Sequence, residues 1–262
     1  MALTGRTVSK YTRVYAGDAT HGVGLCADVS SIPSLGTEFD YNPIAAYCWG
    51  VNGGMLDQGA HPFGPVNGVF SSDTTAGSED VHEQLKAMVG GNVAVAVALG
   101  IREEATYGSP CYVWQGRLNR YEVVTDAGNM VTFTSTWAEG AQTRTNYGKA
   151  WGHVIHPLGA ETAANTNTTN VIDNGAASAA GGYLYYCLTA LDAGTATISV
   201  DDSADGATYG ALSGATSGAL AAIGAGVVQL GTTAAVKQYI RFQVALAGGA
   251  STATFFAAFV RG

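Results

Sequence analysis

Residues 75–100 contain the clearest helical pattern in the chain, followed at once by a strand-like pattern. This succession of a helix and a strand constrains the fold more than any other feature of the sequence. Ser78 is a good N-cap, and the acidic residues that follow it suit the positive end of the helix dipole. One face of the expected helix is apolar and consists of Val81, Leu85, Met88 and Val89. Gly90 and Gly91 then supply a left-handed stop. We therefore predict that Val81, Leu85 and Met88 form a buried helix face.

The run behind this helix, Val93 to Leu99, alternates Val and Ala without a charge, and the other periodic runs are strand-like as well. Gly numbers 36 in 262 residues, while charged residues make up only 12%. This composition indicates many tight turns between half-buried strands, and it differs from that of disordered chains. We predict a mainly β fold with one flanking helix.

Charge and cysteine content narrow the function classes. A net charge of −8 argues against a surface that grips nucleic acid. The four cysteines share no metal-binding spacing, so free and mostly buried thiols are expected at Cys26, Cys48, Cys111 and Cys187.

The first residues, MALTGRTVSKYTR, lack the apolar core of a signal peptide. Phe242 to Val260 is uncharged but has the turn signal AGGAST at its centre, which favours a buried hairpin over a membrane span.

A change of composition divides the chain. Residues 159–182 have almost no large apolar side chains, and five strand-like runs follow. We predict an N-terminal β domain over residues 1–160, a linker over 161–182 and a C-terminal all-β sandwich, of jelly-roll or immunoglobulin-like type, over 183–262. The Gly/Ala-rich residues 210–227 are expected to form a long loop.

Two short motifs resemble ligand-binding sequences without their required context. Residues 22–27 fit the dinucleotide pattern G-x-G-x-x-A, but Ser-Ser-Ile-Pro follows where a helix is needed. Asp201, Ser203 and Asp205 match the start of a calcium loop, but Leu212 occupies the position of the bidentate Glu. We expect a strand in the first case and a polar turn in the second.

The remaining candidates for chemistry also lack partners. His153 and His156 are three residues apart and would point to opposite faces of a strand, so a shared zinc ion is not expected. No nucleophile elbow or catalytic pairing is evident. We expect no catalytic residue, no cofactor and no metal, and hence no enzyme.

The order of elements over residues 1–157 resembles the major tail (tail tube) proteins of long-tailed bacteriophages with non-contractile tails. The similarity begins with RVYAGD, the long excursion TEFDYNPIAAYCWGVNGG and the phrase VNGVF before the helix. It continues behind the helix with NVAVAVALG, CYVWQ, RLNRYEVVTD and MVTFTSTWAEG. The resemblance implies two β-sheets packed on one helix, and hexameric rings that stack into a tube whose inner β-barrel is acidic.

The same resemblance implies a virion protein, assembled in the host cytoplasm, with copies of itself and other tail proteins as partners. DNA would pass through without specific binding, and no membrane would be involved. Acidic residues outnumber basic ones over residues 1–160, and three acidic residues lie in strand-like runs: Glu38, Asp40 and Glu122. Glu38 and Asp40 are two apart and share a strand face, and Glu122 points away from whatever Tyr121 and Val123 cover. We expect these three carboxylates to face the channel.

The C-terminal part is similar to galactose-binding-like or jelly-roll modules through SVDDSADGATYG and KQYIRFQVAL. This similarity implies a surface domain on the tube with weak glycan contact at most. Two other function classes stay open. One is a capsid decoration or head–tail joining protein, and the other is a carbohydrate-binding or receptor-binding module.

Overall fold

The computed structural model describes residues 11–25, 29–31, 35, 38–44, 53–60, 63–70, 81–100, 103–125, 130–139, 150–162, 165–166 and 169–262. Over these residues the fold is mainly β with one helix, as the sequence predicts. The elements of the first part are β1 (Thr12–Gly17), β2 (Gly22–Gly24), β3 (Val29–Ser31), β4 (Glu38–Ile44), β5 (Gly53–Ala60), β6 (Val66–Val69), α1 (Val81–Met88), β7 (Asn92–Leu99), β8 (Pro110–Val124), β9 (Thr132–Glu139) and β10 (Trp151–Glu161). Those of the second part are β11 (Asn165–Thr166), β12 (Ile172–Asp173), β13 (Gly182–Leu191), β14 (Thr195–Ser203), β15 (Gly210–Leu220), β16 (Gly224–Gln229), β17 (Tyr239–Ala247) and β18 (Ala253–Arg261).

A central antiparallel sheet follows the order β16-β13-β18-β10-β8-β7-β1-β2. Its two ends approach each other, because the N–H of Ala225 at the start of β16 donates to the carbonyl of Asp18 just after β1, at 2.6 Å. At the same place a Cβ on Gly22 would lie 2.5 Å from the carbonyl oxygen of Leu188. The sheet is therefore curled, and we call it the curled sheet.

Side chains fill the inside of the curled sheet. Tyr15 stacks on Phe256 with ring centroids 3.9 Å apart, and the hydroxyl of Tyr185 donates to the carbonyl of Tyr15 at 3.0 Å. From β7 the inside receives Ala94, Ala96 and Ala98. Because the large rings come from β1, β13 and β18, only small side chains fit opposite them, which accounts for Ala at every second position of β7.

The outer face of β7 is also buried, beneath a first covering layer formed by β3, β6, β9 and α1. Val93, Val95 and Val97 belong to a core with Phe133 and Trp137 of β9, and with the helix residues Val81, Leu85 and Met88. The fifteen-residue strand β8 joins the two layers, since its first half pairs with β7 and its second half with β9. A strand covered on both sides can be apolar throughout, which is why β7 contains no charged residue.

The helix ends as the sequence predicts. Gly90 has a φ of 82°, and its N–H donates to the carbonyl of Leu118 at 2.7 Å. Leu85 and Met88 are fully buried, but Val89 is 43% exposed and does not belong to the buried face. Val89 lies behind the last helical residue, where the chain turns toward Gly90, so the helical period no longer places it inward. Ser78 and its acidic neighbours lie outside the described residues.

A second covering layer is the five-stranded sheet of β11, β12, β14, β15 and β17. Its inner residues Ile198, Val200 and Phe242 pack with Leu184 of β13 and Phe255 of β18. Strands β13 and β18 therefore also have two buried faces. Apart from the hairpin β4–β5, the described residues thus form the curled sheet and a covering layer on each side of it.

The structure corrects the predicted domain division. Strand β10 from the first part pairs with β18 from the second, through ladder partners such as His153↔Phe259. The expected linker contains β11 and β12, which both pair with β17. Residues 1–160 and 183–262 thus share one hydrogen-bonded sheet and one interior, because the ladder crosses the composition change at 161–182.

Two further expectations about the second part were wrong. Residues 210–227 form β15 and most of β16 instead of a long loop, because β14 supplies a paired neighbour that directs Leu212 and Ala215 inward. The predicted hairpin within Phe242 to Val260 is not one, since β17 lies in the five-stranded sheet and β18 in the curled sheet. Within the described residues, no helix has both the length and the apolar character needed to cross a membrane.

Candidate assembly and channel surfaces

The hairpin β4–β5 carries two of the three expected channel residues, Glu38 and Asp40. Its strands pair with each other from Glu38↔Ala60 to Ile44↔Gly53 and form a separate two-stranded sheet. The ladder shifts between Phe39↔Gly59 and Tyr41↔Leu56, where β5 has one extra residue. Because β4 itself continues regularly, Glu38 and Asp40 keep their spacing of two along one strand. At the base of the hairpin, Leu35 pairs with Phe63.

The third expected channel residue, Glu122, lies on the second half of β8. Its carboxylate forms an ion pair with Arg120, and both side chains are about half exposed. Tyr121, between them in sequence, points the other way and packs against the core of the first layer. The hydroxyl of Tyr121 lies 3.0 Å from Nδ1 of His82 on α1. The sequence argument about Glu122 thus agrees with the packing, although the arginine partner was not foreseen.

No described ladder joins the hairpin β4–β5 to β8. The ladder between β7 and β8 stops at Asn92↔Arg117, whereas β8 continues to Val124. Val123, Val124 and Met130 at the outer end of β8 and β9 are exposed, Met130 by 68%. The end of the first covering layer therefore presents apolar side chains to solvent.

The acidic turn that resembles a calcium loop uses its carboxylates internally. Asp205 accepts hydrogen bonds from the N–H groups of Thr208 and Ala207, which hold the pKa of this carboxyl well below its usual range. Asp201 forms an ion pair with Arg241 at 3.2 Å. Among the described residues there is no group of three or more His, Cys, Asp or Glu that could hold a metal ion.

The tyrosine of the same turn is covered as well. The guanidinium of Arg241 lies over the ring of Tyr209, 3.9 Å from its centroid. Asp202, beside the paired Asp201, accepts a hydrogen bond from the N–H of Lys237 at 3.0 Å and pairs with its ammonium group. These contacts link β14 to β17, so this cluster has a structural role.

The structure also shows what the dinucleotide-like motif and the two histidines of β10 form. Gly22 to Gly24 form strand β2, which pairs with β1, and strand β3 is the next described element. His153 is exposed and lies 3.1 Å from the carbonyl of Gly108, whereas His156 is only 2% exposed. The environment of His156 depends on irregular pairing of β10, which no local pattern reveals.

A small cavity of about 70 Å³ lies at one end of the curled sheet, where Asp18, Asn92, Gln115 and Ala225 meet. Burial raises the pKa of Asp18, but hydrogen bonds from Thr20 and His21 outweigh burial and leave this pKa below its usual value. Its Oδ1 accepts the N–H groups of Thr20 at 2.8 Å and His21 at 2.9 Å.

No family model matches this sequence, and no curated protein matches it either. Two solved structures are similar along most of the chain. The first is SPP1 Dit (gp 19.1), described as a paradigm of the hub adsorption apparatus in phages that infect Gram-positive bacteria; it covers 94% of this chain and 98% of its own, with 12% identity and a TM-score of 0.30. The second is a chain of the phage p2 baseplate in its activated conformation with Sr, with 94% and 97% coverage, 10% identity and a TM-score of 0.33. At these TM-scores the similarities do not establish a shared fold.

Proposed function

We propose that this chain is a structural protein of a bacteriophage tail, and that its copies assemble into stacked rings forming a tube through which DNA passes. The sequence support is the resemblance of residues 1–157 to tail tube proteins in the order of their elements. The structural support is the distribution of strand backbone at the surface of the described residues.

The hairpin β4–β5 is the observation that carries this proposal. Its strands are seven and eight residues long, and they form a sheet separate from the two larger sheets. A two-stranded hairpin is marginally stable on its own in water and presents strand edges that favour pairing with another chain. Pairing between neighbouring copies around a ring would cover these edges and add strands to the hairpin.

The channel would lie between subunits. The interior of the curled sheet is filled by Tyr15, Tyr185 and Phe256, so it has no room for DNA. A lumen shared by the copies of a ring would be lined by the hairpin and the second half of β8, where Glu38, Asp40 and Glu122 lie. The carboxylates of Glu38 and Asp40 would give phosphate groups no strong partner there, and the charge of Glu122 is balanced by Arg120 on the same face of β8.

The proposed role is non-enzymatic and requires no cofactor. The partners are copies of this chain and other tail proteins, and the location is the virion. Any glycan contact of the C-terminal strands would be weak and secondary. A hub at the tail end, the role described for SPP1 Dit, is an alternative to a tube.

The test is assembly of the purified full chain, followed by light scattering after size exclusion and by negative-stain electron microscopy. We expect rings that stack into tubes. Single rings that never stack would favour the hub, and a monomer at every concentration would contradict assembly altogether.

A variant with residues 38–60 replaced by a short Gly-Ser linker should lose the rings but keep a cooperative thermal transition. The linker can close the chain there because Leu35 and Phe63 already meet at the hairpin base. Lys86→Ala, on the exposed face of α1, is the control and should assemble like the parent.

A further inference from the structure

His156 lies where β10 departs from regular pairing with β18. The ladder partners are Val154↔Ala258, His156↔Ala257 and Gly159↔Phe255, with an irregularity on each side of His156. At both irregularities β10 contains one residue more than β18, so both are β-bulges. The first bulge breaks the alternation of faces, so that His156 joins its neighbour Ile155 on the side of the five-stranded sheet.

Three aromatic rings from three different segments surround the imidazole. The ring of Phe255 on β18 is stacked against it, with centroids 4.1 Å apart and an interplanar angle of 20°. Phe242 on β17 approaches at 4.6 Å, and Tyr107, in the segment before β8, at 5.9 Å, both at steep angles. Since β17 belongs to the five-stranded sheet and β18 to the curled sheet, the imidazole fills the contact between these two layers.

Both ring nitrogens face hydrogen-bond acceptors. Nε2 lies 2.9 Å from Oε1 of Glu161, and Nδ1 lies 3.2 Å from the carbonyl oxygen of Phe255. Among the described residues, Glu161 is the charged group that faces the imidazole, and Tyr107 is the other titratable side chain in contact with it. A neutral imidazole has one N–H and can donate to only one of these acceptors, whereas an imidazolium would donate to both. The second proton would, however, place a positive charge among aromatic rings at a position that is only 2% exposed.

We propose that His156 is an acid-sensitive contact between the curled sheet and the five-stranded sheet, which holds the two layers together while neutral and weakens their association when the medium becomes acidic. Burial lowers the pKa of His156 below its ordinary value of 6.5, and the nearby Glu161 offsets only part of this effect. When the layers separate, the imidazole reaches water and regains its ordinary pKa. The open form therefore binds the proton more readily than the closed form, and proton uptake favours opening.

The direction of the pH dependence follows from this difference. A pKa that is lower in the folded state means that the contribution of His156 is fully present above pH 6.5 and decreases as the pH falls from there toward the folded-state value. This behaviour does not depend on ring assembly, so it can be tested whether or not the proposed function is correct.

The experiment measures urea unfolding of the full chain between about pH 5 and 8, in the parent, in His156→Gln and in His153→Gln, with assembly state monitored. We expect the parent midpoint to fall on acidification, His153→Gln to fall in parallel, and His156→Gln to lose a clear part of the slope. His153→Gln is a matched control because it removes an exposed histidine from the same strand. A slope unchanged in His156→Gln would overturn the proposal.

A second measurement tests the proposal if His156→Gln does not fold. The imidazole of His156 in the parent can be titrated by NMR, with its signals assigned through contacts to Phe255. We expect a pKa below 6.5, and a value at or above 6.5 would contradict an acid-sensitive contact.

Discussion

Glu122 and Arg120 occupy the same exposed face of β8 and neutralise each other locally. An exposed ion pair of this kind contributes only about 0–1 kcal/mol to stability, so its main effect is on the charge of the surface. In contrast, Asp201 and Arg241 are largely shielded from water, and their pairing holds β14 against β17. The surface pair can be altered for a test of function without altering the core.

Reversing the three expected channel charges tests the lumen assignment. The triple variant Glu38→Lys, Asp40→Lys, Glu122→Lys should still form tubes if the proposed assembly holds, since none of these changes introduces an apolar cavity. We expect DNA ejection from particles carrying this variant to become slower and salt-dependent, because each Lys offers phosphate groups a partner that ions screen.

The control for this variant reverses Glu83, Glu103 and Glu104, which are exposed but lie outside the hairpin and the second half of β8. It changes the net charge equally and should leave ejection unaffected. Ejection of the channel variant at the parental rate at every salt concentration would show that these three residues do not line the path.

At this scale, sequence patterns are informative where the determining contacts are local. The burial of Leu85 and Met88 follows from a helical period, and the opposed faces of Tyr121 and Glu122 follow from strand alternation. The burial of His156 could not be predicted, because the bulge that turns it inward arises from pairing with β18, nearly a hundred residues later.

The helix α1 is an element that depends on its surroundings. Its described part has eight residues, fewer than an isolated helix needs for stability in water, so packing of its apolar face contributes to maintaining it. Leu85 is fully buried in the core between α1, β7 and β9. A hydrogen-bonding distance of 3.0 Å between His82 and Tyr121 adds a polar contact at the edge of this face.

Leu85→Ala should lower the free energy of unfolding by about 2–5 kcal/mol, because it removes buried methyl groups and leaves a cavity. Lys86→Ala, its exposed neighbour, should change stability by no more than about 0.5 kcal/mol. Urea unfolding of both variants provides the measurement. Leu85→Asp should not fold at all, and a folded Leu85→Asp protein would show that the helix does not depend on this face.

Sequence patterns can reveal the pairing of β8 with β9, because these strands alternate clearly and follow each other closely. They did not predict β15, whose Gly, Ala and Ser residues have little intrinsic preference for strands. This strand forms because β14 offers a partner, and partner choice is not encoded in its own composition. The same reason explains why β17 and β18 were expected in one hairpin.

The whole molecule is held together by ladders that cross its composition boundary. The interior of the curled sheet combines Tyr15 of β1 and Val113 of β8 with Tyr185 of β13 and Phe256 of β18. A change in composition is a local property, whereas a domain boundary depends on which strands pair, so the sequence could suggest a division that the sheet does not have.

Residues 1–160 alone should therefore fail to fold into a stable unit. Without β13 and β18 the inner side chains of β7, β8 and β10 lose their apolar partners, and burial of each large apolar side chain is worth about 1.5–3 kcal/mol. We expect this fragment to aggregate or to show no cooperative thermal transition by circular dichroism, while the full chain unfolds cooperatively. A soluble fragment with a cooperative transition would restore the two-domain division.

The position of β18 also has a consequence for biosynthesis. This strand lies between β10 and β13 in the sheet, although the ribosome makes it after both of them. The curled sheet cannot be completed until residues 253–261 have left the exit tunnel, and until then β10 and β13 lack the neighbour that separates them. Nascent chains must therefore keep these edges from pairing with other nascent chains, which makes the interval before β18 emerges the period of greatest exposure to chaperones and to premature association.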